Sequence, residues 1–256
     1  MNPHVDVRYQ TLTLPPPYAY TYSLRAELGK QLVTITLDWQ HTDRDELTEE
    51  EIWEEGFTSD DDFQWQGTLP GVWVPTWEKW LEQTQLLPDA PLLSKESSLV
   101  MTYTNRQGKT TTGVPDDIKQ WEYQLQEVVQ GVYEAAQRER PLRVSYYDLS
   151  PPRPPIQIAM DISFLHRRFT LSTAPFSPSN AHKLPWERVH SLLETLYLPD
   201  YDAGLSSQDI PQRAGRYIDP GDGQWYQVGT AVVNPGKRDV LSRLHHIIMD
   251  SAAELI

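Results

Sequence analysis

From Tyr18 to Trp39 apolar and polar positions alternate. Tyr18, Tyr20, Tyr22, Leu24, Ala26 and Leu28 share one face, Leu28-Gly29-Lys30-Gln31 supplies a turn, and Val33, Ile35, Leu37 and Trp39 return on the same face. A period of two marks a strand with one buried side, so the stretch predicts a β-hairpin. The pattern recurs once. Ile156, Ile158, Met160, Ile162 and Phe164 alternate with polar or small residues, His166-Arg167 turns, and Phe169 and Leu171 run back.

The surroundings of the two hairpins also match. Val5, Val7 and Tyr9 predict a short edge strand, followed by Leu14-Pro15-Pro16-Pro17. Val144-Ser145-Tyr146 and Pro151-Pro152-Arg153-Pro154-Pro155 repeat that order, with Val7 recurring at Val144 and Pro17 at Pro155, offsets of 137 and 138 residues. Each proline run stands directly before a strand, which makes it an extended lead-in rather than a ligand for a proline-reading domain. A helix opens at Pro75-Thr76-Trp77 and stops by Leu87-Pro88-Asp89, echoed by Pro185-Trp186 and Leu198-Pro199-Asp200. There the offset, Trp77 to Trp186, has fallen to 109. The first copy therefore carries about 25 to 30 extra residues between hairpin and helix.

Both copies continue with strands and a long helix. Leu99 to Thr104 and Thr110 to Val114 flank the turn Asn105-Arg106-Gln107-Gly108, and a helix from Asp116 to Arg138 aligns Ile118, Trp121, Leu125, Val128, Val129, Val132 and Ala136. In the second copy Trp225 to Val233 predicts a strand, and Val240, Leu244, Ile247, Ile248 and Leu255 form a stripe displaced by 119 from Trp121, Leu125, Val128, Val129 and Ala136. The expected fold is α+β, with two related halves from an internal duplication. Each is an antiparallel sheet with hairpins covered by two helices, and together they form a pseudo-twofold, dimer-like monomer. The halves are residues 1–140, with an acidic insert at about 40–70, and 141–256, with a Gly/Pro/Asp-rich loop at about 199–223.

At 256 residues and 39% apolar, the chain can bury a core or two. It has no cysteine, which removes disulfides, thiolate metal sites and cysteine nucleophiles. Met1 to Asp6 lacks the basic-then-apolar pattern of an export signal, and no apolar run is long enough to span a bilayer, so a cytoplasmic protein is expected. A net charge of −14 argues against direct binding of nucleic-acid phosphate. Acidity is local: between Asp43 and Asp62 eleven acids face one base, Arg44, a net of −10, and the other 236 residues carry −4.

A helix is written inside this acidic stretch. Leu47, Thr48, Glu51 and Ile52 have the spacing of a capping box with a hydrophobic staple, and Gly56 ends the helix. Glu54 and Glu55 sit at its negative end, unfavourable by about a few tenths of a kcal/mol each, which a basic partner would relieve.

Candidate chemistry is thin. Asp43-Arg44-Asp45 and Asp60-Asp61-Asp62 lack the spacing of a calcium loop, His245 and His246 are adjacent and diverge on a helix, and no nucleophile elbow or dinucleotide fingerprint occurs. No metal, cofactor or catalytic residue is assigned. Trp77, Trp80, Trp121 and Trp186 sit where helices meet sheet and read as core. Trp53 and Trp65 lie amid charge in the insert, as interface anchors do. The candidate partner-binding residues are Glu50, Trp53, Glu54, Asp60, Asp61, Asp62 and Trp65. They favour a non-catalytic binding or adaptor protein that engages a basic protein surface, without membrane contact. The competing reading is a hydrolase-like enzyme or small-ligand binder with its site in the cleft between the halves.

Overall fold

Strands β1 (His4–Thr11), β2 (Tyr20–Leu28) and β3 (Leu32–His41) pair antiparallel, with Leu24 opposite Leu37 and Ala26 opposite Ile35. Leu24, Ala26, Leu28, Val33, Ile35 and Leu37 are buried together on one face, as the alternation requires. In this computed structural model the chain divides into two compact units, Met1–Glu139 and Arg140–Ile256. The structure describes residues 2–58, 61–88, 97–174 and 180–253. Asp60, Asp89 and Leu255 lie outside them.

The first unit continues through α1 (Glu49–Glu54), β4 (Phe63–Pro70), α2 (Trp73–Glu82), β5 (Leu86–Leu87), β6 (Ser97–Thr104), β7 (Thr110–Pro115) and α3 (Ile118–Ala135). Its sheet runs β4-β3-β2-β1-β6-β7-β5. β1 is thus interior, paired with β2 on one side and β6 on the other, and not the edge strand its short pattern suggests. Its second neighbour is far downstream, and periodicity within β1 carries no trace of it.

Helix α2 begins at Trp73, so Pro75 lies in its first turn, where a missing N–H costs little. Trp73, Trp77 and Trp80 of α2 meet Trp121 of α3 with ring centroids 5.5 to 6.1 Å apart. All four are buried, and the Trp121 indole donates to Thr84 Oγ1 at 2.9 Å. The core role of Trp77, Trp80 and Trp121 follows from this packing.

The second unit comprises β8 (Leu142–Asp148), β9 (Ile156–Ser163), β10 (Arg168–Thr173), β11 (His182–Leu184), α4 (Arg188–Leu196), β12 (Asp200–Tyr201), β13 (Arg216–Asp219), β14 (Tyr226–Gln227), β15 (Val232–Val233) and α5 (Val240–Ala252). Its sheet runs β11-β10-β9-β8-β13-β14. Numbered from the first strand of each unit, both sheets read 4-3-2-1-6-7, and the first adds its short fifth strand at the end.

Three expectations shift in this unit. Trp225 to Val233 is not one strand, because a turn through Gly229, at φ 86°, separates β14 from β15, which pairs with β12. The 199–223 passage is not all loop: it holds β13, whose Ile218 is fully buried opposite Tyr146 of β8. Four residues are too few to show alternation, and the partner strand is remote. Trp186 lies ahead of α4, half-buried against Phe164 and Arg167, whereas Trp77 lies deep within α2. These two tryptophans hold unlike positions. The sheet offers a sounder match, with Leu69 of β4 opposite Val33 and Leu184 of β11 opposite Phe169. The length difference between units therefore falls in the connection after the third strand, residues 42–62 against 174–181.

No helix among the described residues is long and apolar enough to cross a membrane.

Candidate functional site

The acidic segment is the connection from β3 to β4, and both its ends are tied down. At the sheet, Asp62 Oδ1 accepts from the His41 backbone N–H at 2.8 Å and lies 3.2 Å from the ring Nδ1. Within the segment its single base, Arg44, is fully engaged. One Nη donates to the Thr58 carbonyl at 2.6 Å, the other to Asp61 Oδ2 at 3.3 Å, and the guanidinium lies over the Phe57 ring at 5.0 Å. Asp61 also accepts from the Thr58 N–H at 2.7 Å and hydroxyl at 2.8 Å. Burial raises the Asp61 carboxyl, but the Thr58 donors and Arg44 outweigh it and hold the group below the usual aspartate range.

The proline lead-in joins the same structure. Tyr18 packs edge-on against Phe57 with centroids 5.3 Å apart, and its hydroxyl donates to the Glu55 carboxylate, which raises the phenol.

Helix α1 forms as its spacing predicts. The Thr48 N–H and hydroxyl each reach Glu51 Oε2 at 2.8 Å, and the Glu51 N–H returns to Thr48 Oγ1 at 3.3 Å. The Thr48 backbone N–H, then its hydroxyl, lower the Glu51 carboxyl. Ile52 is 6% exposed and anchors the turn, and Gly56 leaves it at φ 82°, a conformation that favours glycine. Trp53 is left 67% exposed. Glu50 and Glu54, on the same short helix, make no ion pair or side-chain hydrogen bond among the described residues, nor do the carboxylates of Asp43, Asp45, Glu46 and Glu49.

The seven candidate residues thus separate. Glu50, Trp53 and Glu54 stand together on the surface of α1. Asp61 and Asp62 hold the segment to itself and to the sheet. Trp65 lies on β4 opposite Leu37, half-buried, with its ring across Gly67, where a Cβ would come within 2.3 Å of the indole. Because β4 pairs with β3 along its whole length, the extra segment ends at residue 62 and not near 70.

Periodicity did not disclose the base on which the segment stands. Tyr9, Tyr22, Trp39 and Phe63 are successive cross-strand neighbours on β1, β2, β3 and β4, and Tyr20 stacks on Trp39 at 4.2 Å. Tyr133 lies 5.3 Å from Phe63, and Arg138 covers that ring at 4.5 Å. Tyr9 donates to Glu122 Oε1 at 3.4 Å, as does the Ser97 hydroxyl, and burial raises the phenols of Tyr9, Tyr20 and Tyr22. The row closes the end of the sheet from which the acidic segment departs. It supplies a stiff platform for a short helix that has little core of its own.

Among the described residues no group of three or more His, Asp or Glu is placed to hold a metal ion. Compared with protein-family models, with curated proteins and with solved structures, the chain matches none.

Proposed function

We propose that this is a non-catalytic binding or adaptor protein that engages a basic protein surface through α1. One observation carries the reading: Trp53, 67% exposed, stands on a capped helix beside carboxylates that have no partner among the described residues. A large aromatic anchor within a charged rim is the arrangement that concentrates binding energy at interfaces, while the surrounding charge governs encounter and selectivity. The one nearby base, Arg44, is committed internally, so the segment's negative field is not cancelled at its own surface.

We also propose that the two units descend from one duplicated α+β unit. The shared strand order 4-3-2-1-6-7 supports this. On that reading the acidic segment is an addition to a common frame, placed in the one connection where the first unit is much longer.

Titration of a labelled lysine-rich peptide, followed by fluorescence anisotropy, tests the binding proposal. Trp53→Ala and the pair Glu50→Lys with Glu54→Lys should each weaken binding by about tenfold, roughly 1.4 kcal/mol, and added salt should weaken it further. Equal affinity for the unaltered chain and both variants overturns the proposal.

A further inference from the structure

We propose, building on the basic-partner reading above, that the outer edge of β4 receives an extended basic segment of that protein partner as an added antiparallel strand. The geometry begins at the β2–β3 turn, where the Gly29 N–H donates to the Leu32 carbonyl at 3.0 Å. This closed two-residue turn sets the alternation of the ladder. Thr34, Thr36 and Asp38 then exchange hydrogen bonds with β2, while Val33, Ile35, Leu37 and Trp39 turn theirs toward β4. Their opposites, Leu69, Gly67, Trp65 and Phe63, direct N–H and C=O groups back at β3. Gln64, Gln66 and Thr68 therefore direct theirs away from the sheet. All three are exposed, and β4 is the last strand of its sheet, with no outer neighbour among the described residues.

Free edges are ordinarily guarded by shortness, lysine, proline or a bulge. β4 has eight residues, no charged side chain, an unbroken register against β3 and its only proline at the end. Its counterpart in the second sheet, β11, has three residues and carries Lys183. The opposite edge of the first sheet, β5, has two residues. The long unguarded edge thus belongs to the strand entered directly from the acidic segment, whose net charge is −10. That field favours an incoming strand with lysine or arginine and disfavours a second copy of a chain of net charge −14. Main-chain bonds to Gln64, Gln66 and Thr68 would supply affinity, and charge would supply selectivity.

The probe is a synthetic peptide alternating lysine with valine, matched in length to the eight residues of β4. Amide hydrogen exchange of the unaltered chain is followed by NMR with and without peptide. The expected result is that the Gln64, Gln66 and Thr68 amides slow at least tenfold on binding. Gln66→Pro, which removes an outward N–H and is tolerated on an edge, should weaken binding at least tenfold. If the peptide binds while those amides exchange at unchanged rates, the edge proposal is overturned. Loss of binding in Trp53→Ala would then show that the α1 reading still stands. If the unaltered chain does not bind the peptide, both fail. Protection of the same amides without peptide, rising with protein concentration, would assign the edge to a second copy and also overturn the proposal. Should Gln66→Pro misfold, the exchange pattern of the unaltered chain decides alone.

Discussion

Arg44 and Asp61 determine how a strongly acidic connection keeps a defined shape. Eleven acids crowded into residues 43–62 repel one another, yet Asp61 gathers two donors from Thr58 and one from Arg44. The consequence is a pH dependence of known sign. The folded Asp61 carboxyl lies below its usual range, and so does that of Glu51. Each group therefore stabilises the segment fully at pH values above the ordinary carboxylate range. That contribution is lost as pH falls through the lowered folded values. In an NMR titration toward acid, the Thr58 and Glu51 amides should shift and exchange faster, while amides of the sheet core such as Ile35 stay protected. Simultaneous loss of all of them would contradict this. At this scale Thr48, Glu51 and Gly56 were legible, because capping depends on spacing of three to eight residues. The different employment of Asp61 and Asp62 on one side and Glu50 and Glu54 on the other was not, since neighbouring acids look alike until a particular amide or guanidinium reaches one of them.

Helix α1 has six residues and one buried side chain, Ile52, so its persistence depends on its cap more than on packing. Thr48→Ala should cost about 1 kcal/mol locally. The expected signature is several-fold faster exchange at Ile52 with a nearly unchanged melting temperature, because the sheet does not depend on the helix. A large drop in melting temperature would show that α1 supports the core. Existence of the longer elements was readable from period and turn residues, as in the hairpin closed at Gly29 to Leu32 and the Trp121 to Val132 stripe. Neighbour relations were not. β1 proved interior, β4 proved part of the sheet, and β13 emerged from a passage with loop composition, each because its partner strand is distant in sequence.

In the whole molecule the two units have the same strand order, and the second has a core drawn entirely from its own residues, from Val144 and Tyr146 through Ile158, Met160, Phe169, Leu192 and Ile218 to Leu244 and Ile248. The fragment Arg140–Ile256 should therefore fold alone, with dispersed amide signals and one cooperative thermal transition. A non-cooperative melt would show that this core is incomplete without the first unit. The sequence by itself determined the strand and helix periods, the capping box, the place of the charge and the two-fold recurrence of the hairpin pattern, because each arises from residues within a few positions of one another. Only the tertiary structure decided which strands adjoin, which acids stay exposed beside Trp53, how Tyr9, Tyr22, Trp39 and Phe63 line up across four strands, and that β4 ends its sheet unguarded. Those outcomes depend on contacts between residues far apart along the chain, where burial and hydrogen-bond register, not local preference, set the result.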